Sequence, residues 1–131
     1  MLDTNICIYI IKRNPPEVLK TLKKQDLGDV CISSITLAEL EYGVEKSNNP
    51  TKNKIALAGF LIPLQILPFS DKPAVKYGQV RAYLEQKGKI IGAYDLLIGA
   101  HALAEGLTLV TNNVKEFSRI PNLSLENWVQ T

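Results

Sequence analysis

Five short, largely apolar runs punctuate this sequence: Met1-Leu2, Val30-Cys31-Ile32, Ile66-Leu67, Thr108-Leu109-Val110 and Leu123-Ser124-Leu125. Runs this brief, with stretches of helical periodicity between them, are what buried parallel strands look like. Helices are expected over 4–12, 17–24, 35–44, 55–61, from Pro73 to the Gly88-Lys89 turn, and over 93–105. Asn14-Pro15-Pro16 breaks the first of them and Gly106 stops the last. The polar stretch 46–53 reads as a loop. Strands alternating with helices predict an α/β protein in three layers, α/β/α, with a central parallel sheet of about five short strands. The 131 residues are expected to form one domain, large enough to bury a sizeable core.

The opening stretch Met1-Leu2-Asp3-Thr4-Asn5 places a carboxylate, a hydroxyl and an amide where a strand gives way to a helix. In parallel α/β sheets, ligands and chemistry gather at such junctions. The plainer role for Asp3 or Thr4 is to cap the helix, by accepting a hydrogen bond from one of its free N–H groups. The fourth strand repeats the design, running into Thr111-Asn112-Asn113-Val114-Lys115-Glu116. On the third helix, positions 35, 38, 39 and 42 share a face, and Ile35, Ala38 and Tyr42 mark it as the packed one, so Glu39 is expected in or beside an apolar stripe. Glu41 and Glu45 share a different, solvated face. Asp95 opens the most apolar helix, where a cap or dipole role is again the simpler reading.

If the first and fourth strands are neighbours, Asp3, Glu39, Asp95 and Glu116 meet at one sheet edge. Close carboxylates repel by about 4 kcal/mol per pair at an effective dielectric near 20, and a proton or a divalent cation relieves that. An all-oxygen donor set suits Mg²⁺, with Mn²⁺ as the alternative. His101 is the sole histidine and reads as packing, and Cys7 and Cys31 read as buried reduced thiols. Neither a Gly-x-Gly-x-x-Gly nor a Walker-type Gly-Lys-Ser/Thr segment is present, which weakens dinucleotide and P-loop readings. Aspartyl-phosphate chemistry at Asp3 wants a second acid two residues on, where Asn5 stands. The start lacks the pattern of a secretory signal, and no apolar run spans a bilayer, so a cytoplasmic protein without membrane contact is expected. A net charge of +2 neither argues for nor excludes a nucleic-acid partner.

Four segments together resemble the PIN-domain ribonucleases, and more closely the VapC toxins of type II toxin–antitoxin modules. They are Met1–Asn5, Ser33–Leu40 with Gly43, Ile91–Ile98, and Val110–Phe117. The likeness runs to the closing Glu126-Asn127-Trp128. It implies a PIN-like fold and a Mg²⁺-dependent endoribonuclease with Asp3, Glu39 and Asp95 as its metal-holding acids. Many PIN domains carry an acid where Asn113 stands; here Glu116 is expected to supply that carboxylate. Thr4, Asn5, Thr111 and Asn113 are expected to support the acids or contact substrate phosphates, with Lys12, Arg13, Lys87 and Lys89 as outlying phosphate contacts. The resemblance further implies a structured RNA substrate, initiator tRNA cut in its anticodon loop, a toxin homodimer and a hetero-oligomer with a VapB-type antitoxin. Ile6, Tyr9, Ile10 and Tyr42 are the apolar residues expected to flank the cleft and receive it. The alternative is a PIN-fold module that binds RNA or a partner without cutting.

Overall fold

A computed structural model describes residues 1–26 and 28–130. Helix α1 (Thr4–Lys12) and α2 (Pro16–Lys23) precede β1 (Cys31–Ser33), α3 (Ser34–Glu45) and α4 (Pro50–Leu61). Then come β2 (Gln65–Leu67), α5 (Asp71–Gln86), α6 (Ala93–Ala104), β3 (Leu109–Val110), α7 (Val114–Phe117) and β4 (Leu125–Glu126). β1 runs parallel to β2 with Ile32 opposite Ile66, and β3 runs parallel to β4 with Val110 opposite Glu126. Between the two pairs lies Met1–Asp3, which is a single parallel bridge from Leu2 to Val110 and not a full strand. The Leu2 N–H donates to the Cys31 carbonyl at 2.9 Å and the Asp3 N–H to the Val110 carbonyl at 3.0 Å. The spatial order is therefore β2, β1, Met1–Asp3, β3, β4. The last strand sits at 125–126, two residues later than the alternation of Leu123 and Leu125 suggests.

Successive residues on a strand face opposite ways, and the core divides accordingly. Leu2, Ile32 and Val110 pack with Ile6, Ile10, Val18 and Leu57, on the side covered by α1, α2 and α4. Met1, Cys31 and Leu109 pack with Val80, Leu84, Leu96, Ile98 and Phe117, on the side covered by α5, α6 and α7. The three layers follow from this alternation. Cys7 and Cys31 are buried and free. His101 is fully buried, its Nδ1 2.8 Å from the Ser33 hydroxyl and its ring edge-on to Phe69. Among the described residues no helix is long and apolar enough to cross a membrane.

Three expectations need correction. The stretch 46–53 is not all loop, because α4 begins at Pro50, where the Asn49 side chain accepts the Lys52 N–H at 3.2 Å. Its polar first turns escape a periodicity argument because Leu57 is the one buried residue on that helix. On α3 the buried stripe is Thr36, Leu40 and Val44; Ala38 is exposed and Tyr42 is 66% exposed. Glu39 therefore borders solvent instead of sitting within a packed face. On α1, Ile6 and Ile10 point into the core and are unavailable to a partner. The Asp3 cap sets the phase of that helix, leaving Ile8 and Ile11 to line an open groove against α3 and α4, about 470 Å³ in volume.

The packing of α6 against α7 rests on Gly99, where an added Cβ would lie 2.5 Å from Ile120 Cδ1 and 3.3 Å from the Phe117 ring. Gly99→Ala should cost about 1–3 kcal/mol by overpacking. Gly78→Ala, at an exposed position of α5 with nothing within 4 Å, should stabilise by roughly 0.5–1 kcal/mol. Urea denaturation of both variants checks the opposite signs; equal effects would mean that Gly99 is not the closest approach between these elements.

Candidate active site

Asp3 takes the capping role weighed from the sequence. Its backbone is extended, its Oδ1 accepts the Ile6 N–H at 2.9 Å as the N-cap of α1, and its side chain is nearly fully buried. The buried Thr111 hydroxyl accepts the Asn113 N–H at 2.9 Å and donates its own proton to the Asp3 carboxylate. Burial nevertheless outweighs these bonds and raises the Asp3 pKa, and the Glu39 charge adds to the rise.

Glu39 reaches the same place from α3. The Thr4 hydroxyl donates to its Oε1 at 2.7 Å, and the buried Thr36 hydroxyl lies 3.3 Å from that of Thr4. Thr4 at the start of α1, beside a threonine one turn before Glu39, thus orients that carboxylate. Asp95 enters from the first turn of α6 and Glu116 from α7. Glu116 is well supported: Oε1 accepts the Gly92 N–H at 2.8 Å and Oε2 accepts the Asn113 side-chain amide at 2.7 Å. Those bonds hold its pKa below the ordinary glutamate range, with Arg119 contributing. Asp95 has no such support. Burial first, then the Glu116 and Asp3 charges, push it up to about 6, and it shares a hydrogen bond with Glu116.

Asp95 thus senses the charges of the other three acids and Asp3 that of Glu39, while the opposing charge of Arg119 acts on Glu116. Among the described residues, however, no three His, Cys, Asp or Glu side chains stand close enough to cage a metal ion. The donor chemistry still fits a hard divalent cation. It is all oxygen, and two of the acids are disfavoured as anions until positive charge arrives.

Asn5 is exposed at the rim, while its backbone N–H helps hold Asp3. Lys12, Arg13, Lys87 and Lys89 are exposed, and no hydrogen bond or ion pair ties any of them to the acids. Three contacts escaped the sequence reading. Those of the Thr36 hydroxyl and the Gly92 N–H could be found only after the helices were placed, as could the contact of Ser33, the α3 cap, with His101 on α6.

Comparison with known proteins gives a consistent picture. A PIN-domain family model matches residues 1–123. A Rickettsia felis protein named Ribonuclease VapC2 is 55% identical over 129 residues, which span 98% of this chain and 96% of that one. A Salmonella typhimurium protein named tRNA(fMet)-specific endonuclease VapC is 46% identical over 128 residues, 98% of this chain and 96% of its own. Among solved structures, the Rickettsia felis VapBC2 complex bound to a promoter DNA fragment superposes with a TM-score of 0.91 at 52% identity, covering 98% of each chain. DNA-bound VapBC from Salmonella typhimurium does so with a TM-score of 0.93 at 44% identity, covering 98% and 97%.

The raised pKa of Asp95 has a direct consequence for stability. An acid whose folded pKa lies above its ordinary 3.8 contributes stability that is full below that value and lost as pH rises through about 6. In metal-free protein, Asp95→Asn should therefore raise the Tm above pH 6, with the difference vanishing toward pH 4. Thermal melts in EDTA across that range check it; a pH-independent difference would mean that Asp95 is not held among other charges.

Proposed function

The chain belongs to the PIN-domain family, among the VapC ribonucleases, and from that premise we propose that it is the toxin of a two-component module. In this reading it is a Mg²⁺-dependent endoribonuclease acting on initiator tRNA in the anticodon loop. The observation that carries the nuclease reading is the electrostatic coupling of acids at one sheet edge: Asp3 is raised in pKa by burial and the Glu39 charge, and Asp95 by burial and the Glu116, Asp3 and Glu39 charges. A site with that much uncompensated negative charge is built to receive a cation.

Asp3, Glu39 and Asp95 would hold Mg²⁺, or Mn²⁺ in its place, with Glu116 assisting. A bound divalent ion in such a site activates water and stabilises the leaving oxygen of a phosphodiester. The chain's own residues do the positioning. Thr111 and the α1 backbone orient Asp3, Thr4 orients Glu39, and Asn113 with the Gly92 N–H orients Glu116. A single-stranded loop suits the site because its bases can splay away from the phosphate being cut. The tRNA assignment draws on the name of the Salmonella typhimurium relative.

The VapBC complexes among its structural relatives support a VapB-type antitoxin partner, and we add a toxin homodimer within that assembly as part of the proposal. The groove between α1, α3 and α4, lined by Ile8, Ile11, Leu40, Val44 and Leu57, ends at Glu39. An amphipathic antitoxin segment would lay its apolar face there. An arginine at its end would pair with Asp3, Glu39 and Asp95, since a guanidinium matches carboxylates as a planar fork and stays charged. A cytoplasmic location accords with an RNA target. The absence of a ready-made three-acid cage among the described residues favours one rival, a PIN-fold module that binds RNA without cutting. A cleavage assay with and without Mg²⁺ separates the two.

Asp3→Asn keeps a capping oxygen for Ile6 and so should keep the fold. Cleavage should fall by more than the roughly 10–100-fold typical of losing an outer-shell partner. Glu116→Gln should cost about 10–100-fold, whereas Glu41→Gln, which loses only an exposed ion pair to Lys54, should stay within about twofold. Sequencing RNA 5′ ends after brief expression reads the substrate, and cleavage scattered over messenger RNA would sink the tRNA assignment. In the complex, replacing the antitoxin's inserted arginine with alanine should restore cleavage while only weakening assembly. A complex that leaves the acids open yet blocks cleavage would overturn that mechanism.

A further inference from the structure

Beside the acids, between the starts of α1 and α6 and the middle of α3, a second pocket of about 380 Å³ opens to solvent. Thr4 and Glu39 form its polar edge, and Tyr42, Lys46 and Tyr94 line it further out. Tyr42 is 66% and Tyr94 59% exposed. The Lys46 ammonium lies 5.1 Å from the centre of the Tyr42 ring. Tyr94 immediately precedes Asp95, so one side chain of this pair of residues belongs to the acids and the other to the pocket.

An acidic cluster repels the polyanion it is proposed to cut, so affinity for RNA must come from groups beside it. Base stacking on aromatic faces supplies such affinity without charge and tolerates any base, and a neighbouring lysine meets the phosphate backbone. The pocket falls within the roughly 300–1,000 Å³ range of small-molecule sites, which suits a single nucleotide. We propose that Tyr42 and Tyr94 form a nucleobase subsite, stacking one unpaired base next to the phosphate held at the acids, with Lys46 on the adjoining phosphate. The subsite rests on the nuclease reading above and names how that site takes up RNA. An antitoxin side chain is the competing occupant. The adjoining groove, which shares Ile8, Glu39 and Lys46 with this pocket, offers that partner the aliphatic surface of Ile11 and Leu57, whereas the two exposed aromatic rings belong to this pocket alone and match a nucleotide.

The test is binding in EDTA, which requires no cleavage. The probe is an initiator tRNA anticodon stem-loop with each loop nucleotide replaced in turn by 2-aminopurine or by an abasic site; an oligoadenylate carrying 2-aminopurine is the sequence-neutral control. One loop position should show quenched 2-aminopurine fluorescence, and its abasic form should bind about tenfold more weakly, as expected for one lost stack. Tyr42→Ala and Tyr94→Ala should each lose affinity to a similar degree, lose the quenching, and become insensitive to the abasic change. Tyr42→Phe and Tyr94→Phe should remain within about twofold of the native protein, since the ring face is what binds. Unchanged affinity and quenching in both alanine variants would overturn the subsite. So would alanine variants that weaken antitoxin capture while leaving RNA binding intact. Native protein that binds and quenches the RNA but never cuts it with Mg²⁺ present would refute the nuclease reading and leave the subsite standing.

Discussion

Everything at the active edge depends on how Met1–Asp3 is threaded between β1 and β3. On one side the Leu2 N–H bonds the Cys31 carbonyl; on the other, Val110 exchanges bonds with Met1 and Asp3 at 2.8 and 3.0 Å. The Met1 nitrogen adds a bond to the Thr108 carbonyl at 2.8 Å. Without this segment the two strand pairs would share no hydrogen bonds among the described residues, and the sheet would be two separate ribbons. With it, the chain leaves the sheet at Asp3 and turns at once into α1, which fixes the buried carboxylate to within the precision of a backbone ladder. Three residues accomplish this because Leu2 and Met1 lie on opposite faces and anchor in both halves of the core.

The acids illustrate how a fold tolerates charges that repel. Three of the four have dedicated donors: Ile6, Asn5 and Thr111 for Asp3, Thr4 for Glu39, Gly92 and Asn113 for Glu116. Each such bond favours the ionised form and offsets part of the desolvation. Asp95 is the remainder. Left with burial and its neighbours' charges, it is pushed up to about 6, and it shares a hydrogen bond with Glu116. The conflict is thus concentrated on one residue, at the position where a cation would resolve it. The departure from the usual family pattern at Asn113 fits this arrangement, since an amide there can donate to Glu116, which a carboxylate could not.

Much of this was legible in the residues because short strands leave few ways to arrange them. The parallel pairing, the placement of the opening segment beside the strand that ends at Val110 and the length of α1 follow from apolar runs that end in polar caps. What was not legible depended on signals the chain does not carry. Helix α4 buries a single leucine, so no periodicity marks its polar start. The face of α3 was misjudged because Tyr42 looks like a core residue by composition, whereas a stripe of Thr36, Leu40 and Val44 does the packing and an exposed tyrosine serves the surface. Ile6 and Ile10 read as partner-facing because the sequence does not show which face of α1 is inward until the cap at Asp3 fixes the helix phase.

A last link explains why the acids on α3 and α6 keep their spacing. Ser33 ends β1, caps α3 by accepting the Ile35 N–H at 3.0 Å, and touches His101 Nδ1 at 2.8 Å. The next hydroxyl, Ser34, accepts the Phe69 N–H at 3.0 Å, and the Phe69 ring meets His101 edge-on. The helix carrying Glu39 is thus pinned at its start to the helix carrying Asp95, through a histidine six residues beyond that acid. Burial lowers the His101 pKa, which disfavours a cation at this connection. His101 Nε2 is buried without a partner among the described residues, at a cost of about 1–3 kcal/mol for an unsatisfied polar atom. A leucine there would avoid that cost but would lose the bond to Ser33, and with it the polar tie between the two acid-bearing helices. The local expense is consistent with a core arranged around the spacing of its acids as well as around its own stability.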